Sequence, residues 1–193
     1  MSSILHTPVS GIHLLAALTA MSTGTYILLT TKGTPAHRLV GRVYVIAMVV
    51  LLGSAFGIYA LFGRFGVIHW GAVGSVAALL LGTVPVAFRS VFPAWLRWHY
   101  VGMGASVTGL YAAFLVESTY RLFPPAQFWW VTMGAANGVF VVGAWLLYRH
   151  RPATLGTARP AQPAGHSRLI GSKPWFALVS AWFVGKLQRS ATP

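Results

Sequence analysis

The chain has no cysteine and a single acidic residue. Of its 193 residues, 14 are Lys or Arg, only Glu117 carries a carboxylate, and the net charge is +13. The lack of cysteine excludes disulfides, thiolate zinc sites, iron–sulfur clusters and the attachment motif of a c-type haem. The lack of acids excludes hydrolytic chemistry based on paired carboxylates. Any bound metal therefore needs His, Met or oxygen ligands.

Charge of either sign is scarce over most of the chain. Charged residues make up 8% and hydrophobic residues 56% of the sequence, whereas soluble domains have about 25% charged residues. In a soluble protein this basic balance would indicate a nucleic-acid partner, but here the basic residues separate long apolar runs. The pattern predicts an integral protein of the lipid bilayer with no nucleic-acid partner.

Five apolar runs of about 24 residues or more are long enough, as helices, to cross a hydrocarbon core of about 30 Å. Thr7-Pro8 and Thr34-Pro35 are typical of helix starts, with Thr as the N-cap and Pro at the first helical position. The predicted helices cover about residues 8–31, 34–63, 65–88, 93–117 and 126–148. The predicted fold is therefore all-α, with five transmembrane helices of which the first four form an antiparallel four-helix bundle.

The chain is predicted to have three parts. Residues 1–149 form the transmembrane domain, and residues 150–172, rich in Pro, Gly, Ala and Ser, form a flexible cytoplasmic linker. Residues 173–193 contain a short stretch with aromatic residues at helical spacing. Because this stretch is too short to span the bilayer, it is predicted to lie on the membrane surface or to dock on a redox or membrane-complex partner.

Basic residues mark the predicted cytoplasmic side. In the antiparallel arrangement, twelve of the fourteen lie at the end where the second helix begins, and only Arg64 and Arg121 lie at the other. By the positive-inside rule the amino terminus is outside and the carboxyl terminus is cytoplasmic.

Four of the seven histidines lie near the ends of the first four helices: His13, His37, His69 and His99. Alternating helix direction places His13 and His69 in one leaflet and His37 and His99 in the other. Each pair comes from helices that are diagonal in the predicted bundle, so its imidazoles can meet at the bundle axis. Two opposed imidazoles are the axial ligands of a bis-histidine haem. The pattern predicts two b-type haems, one per leaflet, with these four residues as cofactor-binding and metal-ligating side chains.

Arg38 and Arg42 lie beside His37 and are candidates for binding haem propionates through charge-assisted hydrogen bonds. Their alternative role is to set topology and contact lipid headgroups.

Other residues near the histidines also have two interpretations. Gly41, Gly102 and Ser106 leave room for a flat macrocycle, or they let bare helices pack closely. Glu117 forms an ion pair with Arg121 four residues later, or it carries protons for a quinone or another reductant at the outer haem.

The segment from His37 to Tyr44, read HRLVGRVY, resembles the bacterial membrane family known as domain of unknown function 2306. The resemblance covers about residues 11–118 and also includes Thr23-Gly24-Thr25, Lys32-Gly33-Thr34, Met48, His99, Met103 and Ser106. It implies a multi-helix protein of the bacterial cytoplasmic (inner) membrane and no particular activity.

The histidine arrangement is also similar to that of the cytochrome b561 and ferric-reductase membrane domains. That similarity is one of architecture and not of detailed sequence. In those families paired histidines hold two b-type haems that pass electrons between the membrane faces, so the resemblance implies the same ligand role for the four histidines here.

Two functions of different classes remain open. The first is a di-haem b-type cytochrome that passes electrons across the membrane, alone or as a subunit of a redox complex; whether it is itself an oxidoreductase stays open. The second is a haem-free accessory or scaffold subunit of a larger complex. A small transporter is less favoured, because the helices show no clear inverted repeat.

Cysteine labelling tests the predicted orientation. In this cysteine-free chain, a Cys at position 34 should react with an impermeant thiol reagent only after the cells are permeabilised, whereas a Cys at position 64 should react in intact cells. Labelling of position 34 in intact cells would contradict the orientation.

Overall fold

A computed structural model describes residues 8–59, 67–119 and 122–152. These ranges are helical and contain no strand. The predicted linker at 150–172 lies outside them from residue 153 onward, and the predicted terminal helix at 173–193 lies outside them entirely. The positions of Arg64 and Arg121 are also outside the described ranges.

In the part of the chain that the structure describes, five long helices follow one another. They are α1 (Pro8–Leu29), α2 (Pro35–Tyr59), α3 (Val67–Ala87), α4 (Trp95–Thr119) and α5 (Gly134–Arg149), with a 3₁₀ turn (Pro125–Gln127) and a π-helical turn (Phe128–Met133) before α5. Within the described ranges, five segments are long and apolar enough to cross a membrane. The prediction of five apolar helices is thus confirmed, and these features indicate a membrane protein.

The π-helical turn before α5 was not predicted. It lies where the last helix meets the end of α4, and it contains the fully buried Thr132. The hydroxyl of Thr119 lies 3.4 Å from that of Thr132. The predicted fifth helix at 126–148 is therefore α-helical only from Gly134. Before that residue the chain forms wider, π-helical turns.

Three consecutive residues build the turn from α1 to α2. The Lys32 ammonium donates to the carbonyl oxygens of Ile27 and Leu28 at 2.6 and 2.8 Å, which satisfies groups left free at the end of α1. Gly33 has a φ of +82°, which favours glycine. Thr34 Oγ1 accepts from the backbone N–H three residues later at 3.1 Å, so the predicted N-cap is confirmed. The matching prediction for Thr7 lies outside the described residues.

The environment of this turn also changes the pKa of the Lys32 ammonium group. Partial burial lowers the pKa of Lys32, although its carbonyl partners favour the charged form.

The helices pack mainly against their neighbours along the chain. α1 packs extensively on α2, α3 on α4, and α4 on α5, while α2 with α3 and α1 with α4 share smaller contacts. These contacts are partly consistent with the predicted four-helix bundle. The core lies between α1, α2, α3 and α4, and its buried side chains are Ala16, Ala20, Ile27, Tyr44, Ala47, Met48, Leu51, Leu52, Ala72, Leu79, Val107 and Leu110.

The closest backbone approach at a glycine lies between α3 and α4. A Cβ at Gly102 would meet the backbone nitrogen and Cα of Gly82, closer than any real side-chain contact. Small residues at such crossings allow the helix backbones to approach. The helix-packing interpretation of Gly102 therefore accounts for this position without a macrocycle.

A substitution at this crossing tests its importance. Gly102→Ala should lower the free energy of unfolding by about 1–3 kcal/mol, because the added methyl group meets backbone that cannot rotate away. Gly138→Ala is the matched control, since no atom lies within 4 Å of a Cβ at Gly138. Denaturant titration in detergent, followed by circular dichroism, measures both, and equal stability of the two variants would contradict the contact.

Candidate functional site

His37 is placed by the start of α2. The Thr34 cap fixes the first turn, so His37 becomes the third residue of the helix. On a helix of 3.6 residues per turn, Gly41, Tyr44 and Met48 follow it on the same face. Tyr44 and Met48 are fully buried. His37 therefore lies above the core on the inward face of α2.

His37 and His99 are neighbours. Their ring centroids are 6.5 Å apart, and the ring planes are nearly perpendicular at 87°. Two metal–imidazole bonds of about 2 Å each, together with the distance from nitrogen to ring centre on both sides, make about 6 Å. The spacing of the two rings is that of an edge-to-face ring contact, and it also matches the separation of two imidazoles on opposite sides of one metal ion.

A backbone carbonyl determines which nitrogen of the neutral His99 ring carries the proton. Nδ1 of His99 lies 2.7 Å from the carbonyl oxygen of Gly82. A carbonyl only accepts hydrogen bonds, so Nδ1 carries the proton and Nε2 keeps its lone pair in the neutral ring. Metal-ligating histidines are oriented by the same kind of contact at their second nitrogen.

His37 has a buried nitrogen without a partner. Nδ1 of His37 is shielded from solvent and makes no hydrogen bond within the described part of the chain. Buried polar atoms of proteins are nearly always hydrogen-bonded, and an exception calls for an explanation. A bound group at the His37–His99 pair is one explanation that also uses the ring spacing.

The other two predicted ligands are His13 on α1 and His69 on α3. Nδ1 of His13 lies 2.9 Å from Oγ of Ser54 on α2, and this hydroxyl donates its own proton to the carbonyl of Leu51 at 2.9 Å. Nδ1 of His13 must therefore be the donor, which leaves Nε2 with its lone pair. His69 is buried near the start of α3. The pairing of His13 with His69 stays a prediction.

Free space adjoins the His37–His99 pair. A Cβ at Gly41, one turn after His37, would have no atom within 4 Å. Ser106, by contrast, is fully buried and its hydroxyl is 2.8 Å from that of Tyr44. Of the small residues predicted to make room for a macrocycle, Gly41 has open space beside it, while Ser106 contributes to packing.

Arg38 and Arg42 are exposed and line a shallow depression with Pro35 and Leu39. Successive residues on a helix turn by about 100°, so both arginines lie away from the face that carries His37 and Tyr44. Their predicted role as propionate ligands stays a prediction, and this position adds nothing to it.

Glu117 is exposed near the end of α4. Its predicted partner Arg121 lies outside the described residues, so both of its interpretations remain predictions.

Among the described residues no three His, Asp or Glu side chains form a group that could hold a metal ion. Two imidazoles alone leave most positions around a metal without protein ligands. A haem supplies the four equatorial nitrogens itself and asks the protein only for axial ligands. The imidazoles of His37 and His99 are the kind of donor pair that would hold a haem.

Two polar contacts of the core were not predicted. Tyr44 pairs with Ser106, as described above, and Thr25 Oγ1 bonds to Tyr111 Oη. A sequence signal for the first exists: Tyr44 follows His37 by seven residues, and Ser106 follows His99 by the same interval. Seven residues are two turns of an α-helix, so the two hydroxyl-bearing residues lie at matched heights relative to the two histidines.

No protein-family model matches the chain, and neither the curated proteins nor the solved structures contain a match. The resemblance to domain of unknown function 2306 therefore stays a prediction.

A double-mutant cycle tests the Tyr44–Ser106 bond. Tyr44→Phe and Ser106→Ala should each destabilise the protein, with a coupling of about 0.6–1.7 kcal/mol, the range of hydrogen bonds between membrane helices. Thr108→Ala serves as control for Ser106→Ala, because the Thr108 hydroxyl bonds only within α4, to Gly104. Additive effects of Tyr44→Phe and Ser106→Ala would contradict the coupling.

Proposed function

We propose that the protein is a b-type membrane cytochrome in which His37 and His99 hold one haem and His13 and His69 hold a second. The juxtaposition of the imidazoles of His37 and His99, 6.5 Å apart, is the observation that carries this proposal. The rings come from α2 and α4, which are not neighbours along the chain.

The tautomers of the neutral His99 and His13 rings support their roles as ligands. The carbonyl of Gly82 holds a proton on Nδ1 of His99, and Ser54 holds one on Nδ1 of His13. In both residues Nε2 is the nitrogen with the free lone pair, which is the form that binds iron. The unpartnered nitrogen of His37 and the open space at Gly41 support a bound group at the same place.

Haem would supply a one-electron couple, and the chain would supply its ligands, their orientation and an apolar surrounding. With one pair of ligands per leaflet, electrons would pass from one membrane face to the other. The basic end would be cytoplasmic and the amino terminus outside, in the bacterial cytoplasmic membrane. A quinone is a candidate redox partner, and the segment 173–193 is a candidate contact with a protein partner.

A haem-free accessory or scaffold subunit is the second candidate function. The observation that favours it is the closed packing of the core, where Tyr44 and Met48 are fully buried and Gly82 lies against Gly102. In that case the histidines stabilise helix ends, and the protein acts by binding other subunits.

Visible spectroscopy distinguishes the two functions. Protein purified from haem-replete cells should show the reduced-minus-oxidised bands of a b-type cytochrome. His37→Ala and His99→Ala should remove the same half of the signal, because the two residues would share one iron, whereas His13→Ala and His69→Ala should remove the other half. His150→Ala is the control, since His150 is exposed after the end of α5 and should leave the spectrum unchanged.

A colourless wild-type protein would overturn the cytochrome proposal and favour the accessory subunit. Loss of the whole signal in all four variants, with an intact fold by circular dichroism, would contradict two independent sites.

A further inference from the structure

A shallow depression of about 210 Å³ lies on the outer side of α2, near the helix start. Pro35, Arg38, Leu39 and Arg42 line it. We call these four residues the α2 groove. It contains two guanidinium groups, one turn apart, and two apolar side chains.

The two arginines of the α2 groove repel each other unless an anion lies near them. Like charges at positions i and i+4 of a helix are unfavourable. Within the described residues, neither guanidinium contacts a carboxylate or an aromatic ring. No acidic side chain of the protein can pair with the two arginines, because the only acid is Glu117. Glu117 lies near the far end of α4.

Other arginines at the same end of the protein have partners. Arg89 lies over the ring of Trp95 at 5.9 Å, and Arg149 lies over Trp145 at 5.1 Å. Such cation–π contacts stabilise a guanidinium group without any anion. The α2 groove, by contrast, holds two neighbouring guanidinium groups that have no such ring contact among the described residues.

An apolar stripe continues from the α2 groove along the helix. Leu39, Val43, Ile46 and Val50 are 62%, 40%, 57% and 41% exposed, and their spacing places them on one side of α2. A ligand that covers both features has an anionic end and an apolar body. An inorganic anion would cover only the arginines.

We propose that the α2 groove binds the phosphodiester headgroup of an anionic phospholipid, whose acyl chain lies along Leu39, Val43, Ile46 and Val50. The planar guanidinium groups of Arg38 and Arg42 match the geometry of phosphate oxygens. This site faces away from His37, so it does not depend on whether the protein binds haem.

Lipid binding to the full chain tests the proposal. Wild-type protein in a neutral detergent is titrated with phosphatidylglycerol, and native mass spectrometry measures the bound fraction. Arg38→Gln combined with Arg42→Gln should weaken the affinity by at least about tenfold, since two basic residues near a lipid phosphate together contribute more attraction than a tenfold change requires. Arg89→Gln combined with Arg97→Gln removes the same charge from the same end of the protein, but neither residue lines the α2 groove. Because salt screens exposed charges away from the bound phosphate, this control should weaken the affinity by less than about threefold.

Three results would overturn the proposal. Equal losses in the two double variants would indicate diffuse attraction to the basic end. Displacement of the lipid by an equal concentration of inorganic phosphate would show that the apolar stripe contributes nothing. Retained phosphatidylglycerol together with lost haem absorbance in the groove variant would assign Arg38 and Arg42 to propionates.

A conservative pair guards against a folding defect. If the glutamine variant does not fold, Arg38→Lys combined with Arg42→Lys keeps the charge and removes the planar forks. It should bind phosphatidylglycerol several-fold more weakly than wild type, and unchanged affinity would contradict binding by the guanidinium groups.

Discussion

The hydrogen bond between Tyr44 and Ser106 fixes the height of α2 against α4. Hydrocarbon offers no hydrogen-bond partners, so polar side chains inside a membrane protein bond to their own helix or to another one. With this bond at 2.8 Å, residues two turns nearer the helix starts are brought to equal height, and these are His37 and His99. The imidazole pair thus depends on a register that the core sets beneath it.

Packing and turn geometry account for several residues between positions 23 and 44. Lys32, Gly33 and Thr34 end one helix and begin the next. Gly24 allows the Tyr44 ring to lie against α1, because a Cβ there would be 3.1 Å from the ring. Neither role involves a cofactor.

One feature of the histidines is not explained by packing. The hydrogen bonds of His13 to Ser54 and of His99 to Gly82 connect neighbouring helices, whereas a structural role does not require an unpartnered Nδ1 in His37. This nitrogen agrees with a ligand near the His37–His99 pair, and together with the spacing of the two rings it is why we propose the cytochrome before the accessory subunit. The lipid site on the outer side of α2 is compatible with either function, because it uses a different face of the same helix.

Local sequence determined the number of helices, their approximate ends and the position of the basic residues. Apolar length, Thr-Pro starts and charge are properties of short stretches, and for this reason the ends of α1 and α4 agree with prediction within about two residues. The start of α5 does not, because 3₁₀ and π-helical turns occupy the first part of the predicted fifth helix. The same reasoning placed His37 and His99 at comparable depths, since depth follows from helix direction and the rise per residue.

Only the tertiary structure decided which way each side chain faces. A helix that is apolar on every side has no amphipathic pattern to show how it is rotated about its axis. Sequence therefore left open whether Gly102 adjoins a cofactor or, as found, the backbone of Gly82. It also placed Arg38 and Arg42 beside His37, where rotation of α2 turns them outward into an exposed groove. The side chains of consecutive residues point in different directions on a helix. Contacts between residues far apart in sequence form only when the helices pack.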